Sequence, residues 1–148
     1  MKNSIRGIEC SLYNGGIKDI LIYLAKEPAE FYIPWCSRID NKHTLLPRAS
    51  KNKHISALGL EALAQHCIWE LVLQIYPPEA GYDEIETYDD FINSACVLCL
   101  IYYDCGLLDM YVKSPAFLEK MRELLLQLNA EGIALITDAN DGRTALHL

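Results

Sequence analysis

The stretch of residues 114–128 constrains the fold most, because it joins helix-start signals to a long apolar stripe. Ser114 is a residue type that caps helices, and Pro115 suits a first helical turn. Burying one leucine of such a stripe contributes roughly 1.5–3 kcal/mol, so another layer of structure must cover this face. We expect Gly132 to end the helix. The stripe consists of Phe117, Leu118, Met121, Leu124, Leu125 and Leu128.

The residues before this helix, 96–113, predict a β-hairpin around the loop 104–106, with Gly106 in the left-handed conformation. The alternation of side chains sorts the hairpin into a core-facing side and a mixed, exposed side. A helix over residues 93–103 is an alternative to the first strand, because a buried apolar run is compatible with either a strand or a helix. The core-facing pairs are Tyr102 with Leu108, Leu100 with Met110, and Leu98 with Val112; the exposed side carries Cys99, Ile101, Asp109, Tyr111 and Lys113.

Apolar periodicity and turn residues divide the rest of the chain into further elements. The predicted elements are a strand at 4–12, a helix at 17–26, a strand at 30–35, helices at 56–76 and 88–94, and strands at 133–137 and 144–148. Their order favours a single α+β domain over residues 1–148. We expect an antiparallel sheet of hairpins, packed against two or three amphipathic helices.

Charge is distributed unevenly along the chain, whose formal net charge is −7. Residues 36–55 have no hydrophobic period and read as a long basic loop, whereas the segment 79–90 is strongly acidic and contains no Lys or Arg. The acidic balance disfavours nucleic acid as the main partner, because phosphates repel it, and would attract a basic protein. A solvated surface loop also explains such a run of charges.

The sequence predicts no catalytic residue, no metal ligand and no cofactor. The six cysteines read as reduced and mostly buried thiols. Cys96 and Cys99 have CxxC spacing, but on a strand they would point to opposite faces. His66 and Cys67 are adjacent, and on a helix their side chains would diverge by about 100°. A cluster of Asp138, Asp141, Arg143 and His147 near the end is explained by turn and strand chemistry.

The sequence suggests a cytoplasmic protein without a membrane partner. Lys2 and Arg6 open the chain, but no apolar stretch of the kind found in signal peptides follows them. The longest uncharged run, residues 91–103, is too short to cross a bilayer.

Two stretches, residues 102–113 (YYDCGLLDMYVK) and 136–144 (ITDANDGRT), resemble small bacterial proteins of polymorphic toxin loci, including immunity proteins of contact-dependent inhibition. The resemblance implies a cytosolic, non-enzymatic protein that binds and neutralises one toxin, often a basic nuclease. It assigns no site residue.

The leading hypothesis is therefore an immunity-type protein that covers a basic toxin domain with the acidic segment 79–90 and the exposed side of the 96–113 hairpin. There, charges speed encounter and aromatic rings anchor the partner. The alternative is a nucleic-acid or phosphate-binding domain, possibly hydrolytic, that uses the basic loop 38–54 through Arg48, Lys51, Lys53 and His54. The residues predicted to bind the protein partner are Tyr82, Asp83, Glu84, Glu86, Tyr88, Asp89, Asp90, Asp109 and Tyr111.

Overall fold

An antiparallel sheet organises the computed structural model, which describes residues 4–13, 15–38 and 53–148. The elements are β1 (Ile5–Ser11), α1 (Ile17–Leu24), β2 (Glu30–Arg38), β3 (His54–Ile55), α2 (Ala57–Leu63), β4 (Ile68–Tyr76), α3 (Tyr88–Asn93), β5 (Leu98–Tyr103), β6 (Leu107–Val112), α4 (Pro115–Gln127) and β7 (Glu131–Thr137). In this part of the chain the sheet has seven strands in the order β3-β2-β4-β5-β6-β1-β7. The predicted α+β class with an antiparallel sheet is confirmed.

One side of the sheet, here called the helix face, is covered by three amphipathic helices. Ile20 of α1, Leu60 of α2 and Leu125 of α4 are fully buried in one core cluster with strand residues such as Leu73 and Met110. The predicted stripe of α4 faces this core, since Met121, Leu124 and Leu125 are buried. The predicted helix at 17–26 is present as α1 and buries Ile17, Ile20, Leu21 and Leu24.

The opposite side, here called the loop face, is covered by the connection between β4 and β5 and by the residues after β7. Phe91 of α3 and Ile85 from that connection pack against Tyr111 of the sheet, and Leu146 closes the cluster from the other end. The sheet is therefore covered on both faces, by helices on one and mostly irregular chain on the other.

The hairpin of β5 and β6 has the predicted register, with Leu100 opposite Met110 and Tyr102 opposite Leu108. Its turn differs, because Asp104 and Cys105 take the positive φ angles (50° and 56°) that were expected at Gly106. Gly106 instead lies against the ring of Tyr13, where an added Cβ would come within 2.1 Å of a ring carbon.

Helix α4 begins as predicted, with the Ser114 side chain accepting a hydrogen bond from Phe117 N, but Gly132 does not end it. Asn129 takes the left-handed conformation (φ 58°) directly after the helix. Asn129 N bonds to Leu126 O and Ala130 N to Leu125 O, which is the Schellman pattern. Gly132 lies within β7.

The predicted helix over residues 56–76 is wrong beyond Leu63. Helix α2 ends there, and Ile68–Tyr76 form the central strand β4. Both faces of this strand are covered: Leu71 and Leu73 belong to the helix-face core and Val72 to the loop-face core. A strand buried on both sides has a continuous apolar run, which matched helical spacing by coincidence.

Two predictions about exposure and strands near the loop face are also wrong. Residues 144–148 form no strand, although the turn after β7 is present. The hairpin side expected to be exposed is buried: Cys99, Ile101 and Tyr111 have no exposed surface and Asp109 keeps 7%. Residues distant in sequence cover this side of the hairpin, and the local alternation of side chains cannot predict such a cover.

Both ends of the predicted basic loop 36–55 are strand, which corrects the prediction there. Strand β2 continues through Pro34 to Arg38, and His54 and Ile55 form β3. Residues 39–52 lie outside the described part of the chain. None of the described helices is long and apolar enough to cross a membrane.

Candidate functional site

The acidic segment, residues 79–90, is fixed to the loop face by one buried tyrosine. The hydroxyl of Tyr76 lies 2.8 Å from Gln74 Oε1 and 3.0 Å from Asp83 O, and it accepts a hydrogen bond from Asp83 N at 3.0 Å. Ile85, which is 5% exposed, anchors the same segment in the core. Burial raises the pKa of Tyr76, so this hydroxyl stays protonated and continues to hold the segment.

Apart from Glu79 at its start, the carboxylates of this segment divide into two groups. Asp90 Oδ2 accepts hydrogen bonds from Glu86 N (3.1 Å) and Thr87 N (3.0 Å), which caps α3 and lowers the pKa of Asp90. Asp83 Oδ2 accepts a bond from Ala95 N at 3.4 Å. These two residues shape the segment.

The outward group consists of Glu84, Glu86 and Asp89, whose residues are all exposed. No ion pair in the described part of the chain includes their side chains. Their charges are therefore directed to solvent and free to attract a cationic surface.

The two tyrosines predicted as anchors are half-buried in contacts of their own. The ring of Tyr82 lies 5.3 Å from that of Tyr32, with Lys53 Nζ 5.4 Å from its centroid. Arg6 lies over the ring of Tyr88, its Cζ 4.2 Å from the centroid. The structure thus uses both rings to pack the loop face.

Sequence reasoning missed Trp35, which is the exposed aromatic side chain beside the acidic segment. The pairing of β2 with β4 shifts between Tyr32 and Trp35, so that Trp35 lies opposite Val72, a loop-face residue. Trp35 is 39% exposed. No local signal reports this shift, because strict alternation would have placed Trp35 on the helix face.

Trp35 lines an open groove of about 220 Å³. The other lining residues are Pro34, Lys53, Tyr82, Glu84, Ile85, Glu86, His147 and Leu148. This groove combines an aromatic side chain with two outward carboxylates. We call Trp35, Glu84, Glu86 and Asp89 the acidic surface.

A second depression, here called the polar cavity, lies beneath the residues after β7 and has a volume of about 450 Å³. Asp109 and Arg143 form an ion pair in its wall, with Asp109 Oδ2 3.1 Å from Nη2 and 3.2 Å from Nε. Tyr103 OH donates to the same oxygen at 3.3 Å. Burial raises the pKa of Asp109, while Arg143 opposes that shift.

Asp141 forms the other half of this network, and its side chain is only 4% exposed. It accepts hydrogen bonds from Arg6 Nη1 (3.2 Å) and from Tyr111 OH (2.9 Å). Its Oδ1 also accepts from Arg143 N at 3.1 Å. The cluster of Asp141, Arg143 and His147 that turn chemistry seemed to explain therefore lines a cavity, while Asp138 bonds outside it, to Ser4 N.

Glu9 adds a third carboxylate to the cavity, since it lies directly opposite Asp109 in the pairing of β1 with β6. Desolvation, followed by the charges of Asp109 and Asp141, raises the pKa of Glu9. Like charges opposite one another destabilise a sheet.

Asp109 and Tyr111 were predicted to contact a partner directly, but both are buried. Their bonds to Arg143 and Asp141 hold the chain after β7 in place.

The residues of the alternative phosphate site are only partly described. Arg48 and Lys51 lie outside the described residues. His54 Nε2 lies 2.7 Å from Glu30 Oε2, and Lys53 lies over Tyr82. The two described side chains of this set, His54 and Lys53, therefore contact an acid and an aromatic ring.

Cys96 and Cys99 lie in the same loop-face cluster and not on opposite faces, because Cys96 precedes β5 and is free of its alternation. Burial raises the pKa of Cys96 to about 12. Among the described residues, no group of three His, Cys, Asp or Glu side chains is placed to hold a metal ion.

Comparison with known proteins gives a family. Residues 43–147 match the family described as "Protein of unknown function (DUF2691)". The chain belongs to the DUF2691 family. The match includes the acidic segment and most of the polar cavity, but not Trp35, Arg6 or Glu9.

One curated relative is "Uncharacterized protein YncE" of Bacillus subtilis (strain 168), which is 34% identical over 74 residues. The aligned part is 50% of this chain and 48% of that protein, so the chain spans about half the length of the relative it matches. No solved structure matches.

Proposed function

We propose that this member of the DUF2691 family is a cytosolic, non-enzymatic protein of immunity type that binds and neutralises a basic protein through its acidic surface. The observation that carries the proposal is the groove in which Glu84 and Glu86 accompany the half-exposed ring of Trp35. Tryptophan is enriched among the residues that dominate binding energies, and outward carboxylates accelerate encounter with a basic partner.

Preorganisation of the segment also supports this role. Tyr76 holds Asp83, and Thr87 and Asp90 form a capping box at the start of α3. The carboxylates are therefore presented by chain that is already ordered, which lowers the entropic cost of binding. Among the predicted partner-binding residues, Glu84, Glu86 and Asp89 are assigned the contact, and the others support the surface.

The test uses the full chain as tagged bait in lysate of its source cell, at low and moderate salt. Three baits are compared: wild type, the reversal Glu84→Lys/Glu86→Lys, and the control reversal Glu119→Lys/Glu123→Lys. The control makes the same change of charge on exposed positions of α4, across the sheet. We expect one stoichiometric basic protein with wild type and control and its loss with the first reversal.

The captured protein is then expressed alone and together with each variant. The immunity role predicts that it stops growth by itself, and that wild type and control restore growth whereas Glu84→Lys/Glu86→Lys does not. Equal capture by all three baits would contradict the assigned surface. A captured protein that leaves growth unchanged would contradict the immunity role while keeping the binding role.

The phosphate-binding alternative is a competing outcome of the same experiment. Recovery of RNA or DNA with the bait, unaffected by Glu84→Lys/Glu86→Lys, would replace the proposal with one centred on the basic loop. Retention of the protein on a phosphate resin, weakening steeply as salt rises, would likewise favour the phosphate-binding alternative.

A further inference from the structure

Exposure divides the six cysteines into two groups. Cys10, Cys36, Cys96 and Cys99 are buried, whereas Cys67 and Cys105 are exposed. The sequence predicted that Cys67 lies inside an apolar helix, and the end of α2 at Leu63 is what places it at the surface.

The fold brings these two exposed cysteines to the same end of neighbouring strands. Cys67 comes directly before β4, and Cys105 lies in the turn that follows β5. The two strands are antiparallel, with Leu71 opposite Tyr102, so the start of one lies beside the end of the other.

Both cysteines line one open cavity of about 410 Å³. Both cysteines also act on Tyr102, whose pKa is raised by burial and, to a lesser degree, by Cys105 and Cys67. His66 lines the same cavity. The helical argument for the divergence of the His66 and Cys67 side chains does not apply, because neither residue is helical.

We propose that Cys67 and Cys105 form a reversible dithiol–disulfide modification site, whose oxidant is a peroxide. One thiol, as thiolate, attacks a peroxide oxygen; the O–O bond breaks, a sulfenic acid forms and hydroxide leaves as water. The second thiol attacks that sulfur, the S–S bond forms, and a second water leaves. Two thiols and one hydrogen peroxide thus give one disulfide and two waters.

Two features suit the pair to this chemistry. Cys67 and Cys105 both lie in irregular chain at the rim of the sheet, outside the regular hydrogen bonding of the strands. The buried cysteines are protected by the cores, and the pKa of Cys10, like that of Cys96, is raised to about 12 by burial. Thiolates of buried cysteines are scarce, so oxidation is selective for the exposed pair.

The experiment treats the folded full chain with hydrogen peroxide, blocks the remaining thiols with iodoacetamide, and maps the products by mass spectrometry after digestion. We expect a cross-link between the Cys67 and Cys105 peptides within one chain, its removal by dithiothreitol, and its absence in Cys67→Ser and Cys105→Ser. Circular dichroism checks that both variants keep the fold.

A urea-unfolded sample provides the comparison in which all six thiols are accessible. Separate oxidation of the two thiols without a cross-link would overturn the proposal. A cross-link found only between two chains would also overturn it; such a dimer is seen on a non-reducing gel and disappears when the protein is oxidised at lower concentration. The same holds if the folded and the urea-unfolded samples give the same distribution of disulfide products.

Discussion

At the scale of single residues, the ion pair of Arg143 and Asp109 fixes the chain after β7 to the sheet. Their side chains are 18% and 10% exposed, so both charges are largely removed from water. Breaking such a pair leaves a charge without compensation in a poorly solvated site, and it costs far more than breaking a surface pair.

We therefore expect Arg143→Met to lower the free energy of unfolding by about 3 kcal/mol, measured by urea denaturation at neutral pH. The control is Arg122→Met, which removes an exposed pair with Glu119 and should cost less than about 1 kcal/mol. Equal effects of the two substitutions would contradict the role assigned to Arg143.

Glu9 predicts a pH dependence at the same site. The pKa of Glu9 in the folded chain is raised by desolvation and by the charges of Asp109 and Asp141. Folding therefore takes up a proton at pH values between the unfolded and the folded pKa. The stability contributed by this group therefore falls as the pH rises from the unfolded pKa through the folded pKa.

Removing that charge should reverse the effect. We expect Glu9→Gln to be more stable than wild type at neutral pH, with an advantage that shrinks as the pH falls through the carboxyl range. Urea denaturation at several pH values measures it. An advantage that stayed constant down to the unfolded carboxyl range would show that the repulsion with Asp109 is not its cause.

At the scale of elements, a single side chain covers the C-terminal end of the exposed edge of β7. Asn140 Oδ1 accepts a hydrogen bond from Thr137 N (2.7 Å), and its Nδ2 donates to Leu135 O (3.1 Å). Asp138 N, one residue later, bonds to Ser4 on the β1 side, so the groups held by Asn140 point away from β1. The amide thus occupies edge positions that another strand could otherwise pair with.

The bulge in β2 has a consequence for binding, because it places Trp35 in the groove beside Glu84 and Glu86. We expect Trp35→Ala to weaken the complex with the captured basic protein by about 2 kcal/mol or more, mainly through faster dissociation. Surface plasmon resonance measures both rates. Trp69→Ala is the matched control, since Trp69 is 45% exposed and lines the cavity of Cys67 instead.

An equal loss of affinity in both tryptophan variants would indicate a general effect on the fold. No loss in Trp35→Ala would remove Trp35 from the acidic surface and leave its carboxylates as the binding determinants.

At the scale of the whole molecule, local patterns predicted the elements whose partners are near in sequence. The register of β5 with β6, the cap at Ser114 and the buried stripes of α1 and α4 all follow from short-range periodicity. These features were confirmed because spacing and turn residues alone determine them.

The errors about β4 and about the exposed side of the hairpin share one physical cause, which is that residues distant in sequence cover the second face of the sheet. Residues 77–97 and 138–148 fold over the hairpin side that alternation marked as exposed, and β4 is buried on both faces for the same reason. Arg143 and Asp109 are far apart in sequence, so nothing local linked them. The acidic carboxylates could be predicted, whereas Trp35 depended on a bulge.

The central claim, that the acidic surface attracts a basic protein partner, is tested most directly by the rate of association with the captured protein. Stopped-flow measurements at low and moderate salt compare wild type, Glu84→Lys/Glu86→Lys and Glu119→Lys/Glu123→Lys. We predict fast association that slows steeply with salt for wild type and the α4 control, and slow, weakly salt-dependent association for the first reversal. Equal rates and equal salt dependence in all three proteins would contradict the account.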